Sequence, residues 1–270
     1  MKVAIDFGIT NTDIAVFNDG NIDLCSIPSK KVTNDFLKEV IGSLNLDIKK
    51  IKKIAITGGK SSELNDFFND IPVIKVNEID AIGYGVIALY DIGDKPFVAI
   101  SAGTGTACIY HDGNNINHLG GISVGGGTLQ GLAQHLINIK DPNDIEKFAK
   151  AGDRKKLDFL IGDVVNEIGS LYPEITASNF GKAKDFKDLS DNDIAASISN
   201  MIGEVIGTIS YLNAMICNED KVYFLGRASV NDVIKSGIED RLKLAKINGL
   251  FKENREYGNV LGALNCIQTK

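Results

Sequence analysis

The chain has 270 residues, 44% of them hydrophobic and 24% charged, enough to bury a sizeable core in one large domain or two smaller ones. Lys and Arg (29) nearly balance Asp and Glu (35), and the formal net charge of −6 argues against a general nucleic-acid binder. No apolar run reaches the roughly 18 residues of a membrane span, and Asp6 interrupts the stretch a secretory signal would need. The expectation is therefore a cytoplasmic protein with no membrane or nucleic-acid partner.

In chain order, Lys2 to Asp6 reads as a buried strand, Gly8 breaks it, and strands follow at Asp13 to Phe17 and Ile22 to Ile27 around the Asn18-Asp19-Gly20-Asn21 turn. Helix is predicted from Asn34 to Leu44, strand from Lys53 to Thr57, a short helix from Ser61 to Phe68, strand from Val73 to Val76, and helix from Glu78 to Leu89. Alternating strands and helices mark an α/β fold. A second unit opens near Lys95, with strands at Phe97 to Ser101, Thr106 to Tyr110 and Ile116 to Leu119. Strand, small-residue turn, strand, turn, strand thus occurs twice, a repeat of layout rather than identity. It divides the chain into residues 1–94 and 95–270.

Helices are predicted at Thr128 to Ile139 behind three glycines, Asn143 to Ala151 before Gly152, and Ile194 to Ile216, whose apolar residues recur at steps of three and four. A buried strand from Val222 to Leu225 stops at Gly226, a helix begins near Val230, and a last helix runs from Asn259 to Ile267. Cys25, Cys108, Cys217 and Cys266 form no C-x-x-C pair, and with His111, His118 and His135 they give no zinc spacing. Reduced, mostly buried thiols are expected.

Four stretches carry chemistry. In Asp6-Phe7-Gly8-Ile9-Thr10-Asn11-Thr12, Gly8 lets backbone N–H groups approach an anion, Thr10, Asn11 and Thr12 add donors, and Asp6 is placed to hold a hydrated Mg2+. Ser101-Ala102-Gly103-Thr104-Gly105-Thr106 has the same build, so the two turns read as paired phosphate clamps facing across a cleft. Gly125-Gly126-Gly127-Thr128-Leu129-Gln130-Gly131 opens a helix, whose N-terminus attracts phosphate. No Lys follows these glycines, so it is not a P-loop. Leu225-Gly226-Arg227-Ala228-Ser229 reads as a turn that contacts a nucleoside.

Two phosphate turns on hairpins and a late nucleoside turn resemble the actin-like ATPase and sugar-kinase superfamily. More narrowly, the chain resembles the type II pantothenate kinases, the Fumble-like family. The stretches that carry this resemblance begin with Asp6-Phe7-Gly8-Ile9-Thr10, Ile56-Thr57-Gly58-Gly59 and Glu78-Ile79-Asp80-Ala81. They continue with Gly103-Thr104-Gly105-Thr106, Gly120-Gly121-Ile122 and Gly125-Gly126-Gly127-Thr128, and later with Gly152-Asp153-Arg154, Ala177-Ser178-Asn179-Phe180-Gly181, Gly203-Glu204-Val205 and Val222-Tyr223-Phe224-Leu225-Gly226.

The resemblance implies a duplicated, ribonuclease H-like α/β fold with ATP in the cleft between its halves. It also implies transfer of the γ-phosphate to the primary hydroxyl of pantothenate, the first step of coenzyme A biosynthesis, by a cytoplasmic homodimer using ATP and Mg2+. Glu78 matches the family's catalytic base; an attacking hydroxyl needs a carboxylate to take its proton. ATP contacts carry over to Asp6, Gly8, Thr10, Thr104 and the run Gly126, Gly127, Thr128, Leu129, Gln130, with Gly226 and Arg227 at the nucleoside turn. Asn11, Thr12, Gly103 and Gly105 join them from the turns themselves. The substrate side falls on His118, Thr106 and Gly121.

Three positions depart from the family. Asp13 stands where a Lys is usual, Ala107 where a Ser follows the Gly-Thr-Gly-Thr turn, and His118 where an Arg holds the pantothenate carboxylate. A bidentate Arg and a His are not equivalent carboxylate binders. A kinase for another small hydroxylated metabolite, an ATP-driven switch, and a non-catalytic regulator that binds ATP are the alternatives. A switch that passes electrons needs clustered cysteines, which this chain lacks in sequence.

Overall fold

Residues 1–166, 172–185 and 189–268 are described by the structure, a computed structural model. Their elements are, in order, β1 (Lys2–Phe7), β2 (Asn11–Asn18), β3 (Asn21–Pro28), α1 (Asn34–Ser43), β4 (Lys53–Thr57), β5 (Phe67–Phe68), β6 (Ile71–Lys75), α2 (Glu78–Tyr90), β7 (Phe97–Ala102), β8 (Thr106–His111) and β9 (Ile116–Ile122). There follow α3 (Gly126–Ile137), α4 (Pro142–Ala151), β10 (Phe159–Leu160), α5 (Ile161–Val164), β11 (Thr176–Ser178), α6 (Asp191–Ile216), β12 (Lys221–Leu225), α7 (Asp232–Leu244), β13 (Asn248–Leu250) and α8 (Gly258–Gln268). The chain forms two compact units, residues 1–99, 109–119 and 251–270, and residues 100–108 and 120–250. The division at residue 94 follows the repeat of layout; these units follow packing and are discontinuous in sequence.

In the first unit a six-stranded sheet has the order β3-β2-β1-β4-β6-β5. Side chains alternate across its strands. On one face Val3, Ile5, Phe7, Ile14, Val16, Ile54 and Ile56 meet Phe36, Leu37, Val40 and Ile41 of α1. On the other, Ala4, Ala15 and Ala55 leave room for Val260, Ala263, Leu264 and Ile267 of α8. Strands β1, β4 and β6 run parallel, so their carboxyl ends share one edge.

The helix expected from Ser61 to Phe68 is not formed. One 3-10 turn, Ser61–Glu63, is followed by β5, which pairs with β6 through Phe67↔Pro72 and Phe68↔Ile71. Asn69, at φ 53°, takes the left-handed conformation that Asn tolerates in a tight hairpin turn. That turn overrides the helical spacing of the segment.

In the second unit a single 3-10 turn, Arg227–Val230, precedes α7, which starts at Asp232 rather than near Val230. Helices α6 and α7 pack at very close range. A Cβ on Gly207 would lie 2.8 Å from the Ile238 carbonyl oxygen, and one on Gly237 2.9 Å from that of Asn200. A five-stranded sheet, β13-β12-β7-β8-β9, draws strands from both stretches of sequence and is not confined to the second unit. No helix of the described residues is long and apolar enough to cross a membrane.

Candidate active site

The carboxyl edge of β1, β4 and β6 collects the first unit's candidates, as parallel α/β sheets do with ligand sites. Asp6, next to last in β1, lies opposite Thr57 of β4, and Ile56 pairs with Lys75 of β6. Glu78 is the first residue of α2, exposed, just after Asn77 caps that helix by accepting the Ile79 N–H at 2.8 Å. Two strand spacings separate β1 from β6, about 10 Å. Gly58, at φ 77°, has no room for a Cβ beside Asp6 Oδ1 and the Phe7 carbonyl, so glycine there lets the Asp6 carboxylate lean over the end of β4.

Asp6 is 9% exposed and Asp13 4% exposed. They are register partners across β1 and β2, which puts two carboxylates on the same face of adjacent strands. Asp13 is held from behind by the Ser26 hydroxyl. Side-by-side carboxylates repel, and a divalent cation would relieve that. Hard oxygen donors suit Mg2+, which takes one or two carboxylates when it arrives on a nucleotide. The residues therefore fit the ion.

Gly8 to Thr12 turns between β1 and β2. A Cβ on Gly8 would come within 2.6 Å of the Asn11 carbonyl oxygen. Thr10 is exposed and Asn11 partly buried. Thr12 is fully buried, and its hydroxyl lies 2.9 Å from Ser29 Oγ. It supports the turn from beneath. His118 is exposed on β9.

Three of the second unit's stretches converge. Gly126 N–H donates to the Gly103 carbonyl (2.8 Å) and Gly127 N–H to that of Thr104 (2.9 Å), while Gly103 N–H donates to Gly105 (2.8 Å). A Cβ on Gly125 would stand 2.8–2.9 Å from the carbonyl oxygens of Gly103, Thr104 and Gly105. The glycine run is needed because one turn lies on the other. Its N–H groups at 126 and 127 are spent on that contact, so they are not the open donors that the sequence implies. Gly226, at φ 87°, abuts the Ala102 backbone, and Ala228 Cβ lies near Gly126.

Thr106 is 5% exposed and gives its hydroxyl to the Val124 carbonyl at 2.8 Å. Gly121 crosses close over the Thr106 carbonyl. Thr128 Oγ1 donates to Ser123 (3.2 Å) and accepts the Gly125 N–H (3.3 Å). Leu129 is core at 4% exposure, while Thr104, Gln130 and Arg227 are partly exposed. Burial pushes the Cys108 thiol up to about 11, which keeps it an inert thiol. Among the described residues no three His, Cys, Asp or Glu side chains gather into a metal cluster.

Ser29, immediately after β3, was not visible from sequence. Its role depends on the pairing of β3 with β2, which sets Pro28 opposite Asn11.

Comparison with solved structures gives the class. An activator of 2-hydroxyisocaproyl-CoA dehydratase from Clostridium difficile, with bound ADPNP, superposes with a TM-score of 0.67 at 17% identity, over 98% of this chain and 93% of that one. A ROK family glucokinase from Streptomyces griseus, in complex with glucose and AMPPNP, gives 0.65 at 11% identity, over 100% and 99%. Identities this low carry the fold alone, and it is the α/β fold of actin-like ATPases and sugar kinases.

Sequence carries the assignment further. The Fumble family profile matches residues 88–236. The type II pantothenate kinase of Bacillus thuringiensis subsp. konkukian (strain 97-27) is 32% identical over 97% of this chain and 96% of its own length; that of Staphylococcus epidermidis (strain ATCC 12228 / FDA PCI 1200) is 29% identical over 98% and 99%. The chain belongs to the Fumble, or type II pantothenate kinase, family.

Proposed function

We propose that this protein is an ATP-dependent pantothenate kinase. End-to-end identity to type II pantothenate kinases carries the reading. The primary hydroxyl oxygen of pantothenate forms a bond to the γ-phosphorus, the bond from that phosphorus to the bridging oxygen of ADP breaks, and the hydroxyl proton passes to the Glu78 carboxylate. Exposure of Glu78 on the same sheet edge as Asp6 supports this role. Asp6, with Asp13 beside it, would hold hydrated Mg2+, which neutralises phosphate charge when bound. His118 stands for the family's carboxylate-binding Arg. Within the second unit, the converged turns at 103–106, 125–130 and 226–227 are read as nucleotide contacts; within the first, Gly8 and Thr10 are read as phosphate contacts.

The test is release of ADP with pantothenate and with a panel of other small alcohols. No turnover with pantothenate, and turnover with another alcohol, removes the narrow assignment and keeps the kinase.

The finer expectations of a homodimer and a cytoplasmic location belong to the same reading. Long helix α6 leaves Val205, Leu212, Met215 and Ile216 exposed at 38–79%, an apolar set that a second copy would cover. Light scattering of the purified protein reads the mass directly.

A further inference from the structure

Ser29 holds the first phosphate turn from outside it. Ser29 Oγ donates to the Gly8 carbonyl at 2.6 Å, and Ser29 N–H donates to the Thr10 carbonyl at 3.1 Å. The remaining contact, between Ser29 Oγ and Thr12 Oγ1 at 2.9 Å, then has a fixed direction. A hydroxyl has one proton, and that of Ser29 is already committed to Gly8, so Thr12 is the donor. The result is a chain, Thr12 O–H to Ser29 O–H to the Gly8 carbonyl, in which each bond polarises the next.

We infer that Ser29 is a positioning residue for ATP binding, which locks the Gly8 and Thr10 carbonyls away from the triphosphate. The inference rests on the reading of residues 8–12 as a phosphate turn. Every peptide in such a turn presents either its N–H or its carbonyl to an anion, and a carbonyl oxygen repels phosphate. A flip at the peptide after Gly8 or after Thr10 would exchange one for the other. Ile9, at the turn's apex, is 80% exposed, so its side chain adds little packing to hold the peptides on either side of it. Ser29 holds both carbonyls at once, from the end of a strand whose register fixes its place beneath the turn. Thr12, fully buried, keeps the Ser29 hydroxyl oriented.

The experiment is equilibrium binding of a fluorescent ATP analogue, and steady-state kinetics, for the wild type, Ser29→Ala and Ser29→Thr, each at a temperature where melting shows it folded. Ser29→Ala is expected to weaken analogue binding and raise the KM for ATP about tenfold, because misplacement by a fraction of an ångström is enough for that. The KM for the acceptor stays the same, and Ser29→Thr, which keeps the hydroxyl, recovers most of the loss. Should Ser29→Ala bind the analogue as the wild type does, or should its loss appear only as a lower Tm, the latch has no role in binding. If the wild type itself binds no nucleotide, the phosphate-turn reading fails first. Thr12→Val, which keeps shape but removes the donor, gives a second check: a smaller rise in the same KM supports the chain, and no change overturns its direction.

Discussion

The two hairpin turns share a layout and differ in what secures them. Residues 8–12 are held by side-chain hydroxyls, Thr12 on Ser29 and Ser29 on Gly8, beside one backbone bond from the Ser29 N–H to the Thr10 carbonyl. Residues 103–105 are held by backbone, through the N–H groups of Gly126 and Gly127. A hydroxyl latch can be undone by removing one oxygen while the fold stays. A backbone latch can be broken only by changing a shape, and there a single added Cβ is the severe change. Sequence repeats preserve the outline of a turn, whereas the means of holding it is chosen locally.

The largest expected effect separates chemistry from these latches. Glu78→Gln is nearly isosteric and exposed at the first turn of α2, so folding and ATP-analogue binding should be unaltered. Turnover should fall roughly 10²- to 10⁴-fold, the usual contribution of a positioned general base. Turnover at the wild-type rate would take Glu78 out of the mechanism and leave the non-catalytic side of the comparison untouched.

Next comes the backbone latch. Gly125→Ala forces a methyl against the three carbonyls of residues 103–105, and Gly226→Ala adds a conformation at φ 87° that is almost restricted to glycine. Each is expected to cost about 3 kcal/mol of stability or more, with loss of nucleotide binding at temperatures where the protein remains folded. Thermal melting beside analogue titration reads both. An alanine variant with wild-type Tm and wild-type affinity would mean that the two turns separate freely, and the contrast with the hydroxyl latch would vanish.

These effects also mark what sequence could say. Strands β1 and β4 were legible because Val3, Ile5 and Ile54, Ile56 alternate with Ala4 and Ala55, and both faces are buried. The glycine run 125–127 was legible as special, yet its reason was not. Free N–H groups for phosphate and close approach to another turn ask for the same residue, and only the structure shows that Gly103 to Gly105 lie against it. Ser29 was illegible for a related reason: its partners are 17 and 21 residues away, and their meeting depends on strand register. Ser61 to Phe68 was misread because the turn at Asn69 fixes a hairpin that helical spacing cannot register.

The acceptor side offers a gain rather than a loss. His118 is exposed on β9, so a longer side chain has room there. If this position meets the pantothenate carboxylate, His118→Arg supplies a permanent charge and a planar pair of donors, and the KM for pantothenate should fall about tenfold with kcat little changed. An unchanged KM would place carboxylate recognition elsewhere, and with it the difference between this chain and its relatives.

The smallest effect tests whether the second unit's long helix is anchored by charge. Asp193, 3% exposed near the start of α6, is held down at about 2 although burial pushes it up. The Asp153 N–H at 2.9 Å, the Ser190 hydroxyl at 2.7 Å and Lys156 at 3.0 Å outweigh that burial. A carboxylate held below its usual 3.8 contributes stability that is complete above about pH 4 and is lost as pH falls toward 2. Lys156 is half-exposed, so solvent screens its share, and the whole contribution is about 1 kcal/mol. Asp193→Asn should therefore melt below the wild type at neutral pH and approach it as the solution is acidified through that window. A gap that stays constant with pH would mean that the helix start is held by the hydrogen bonds alone, whatever the charge on Asp193.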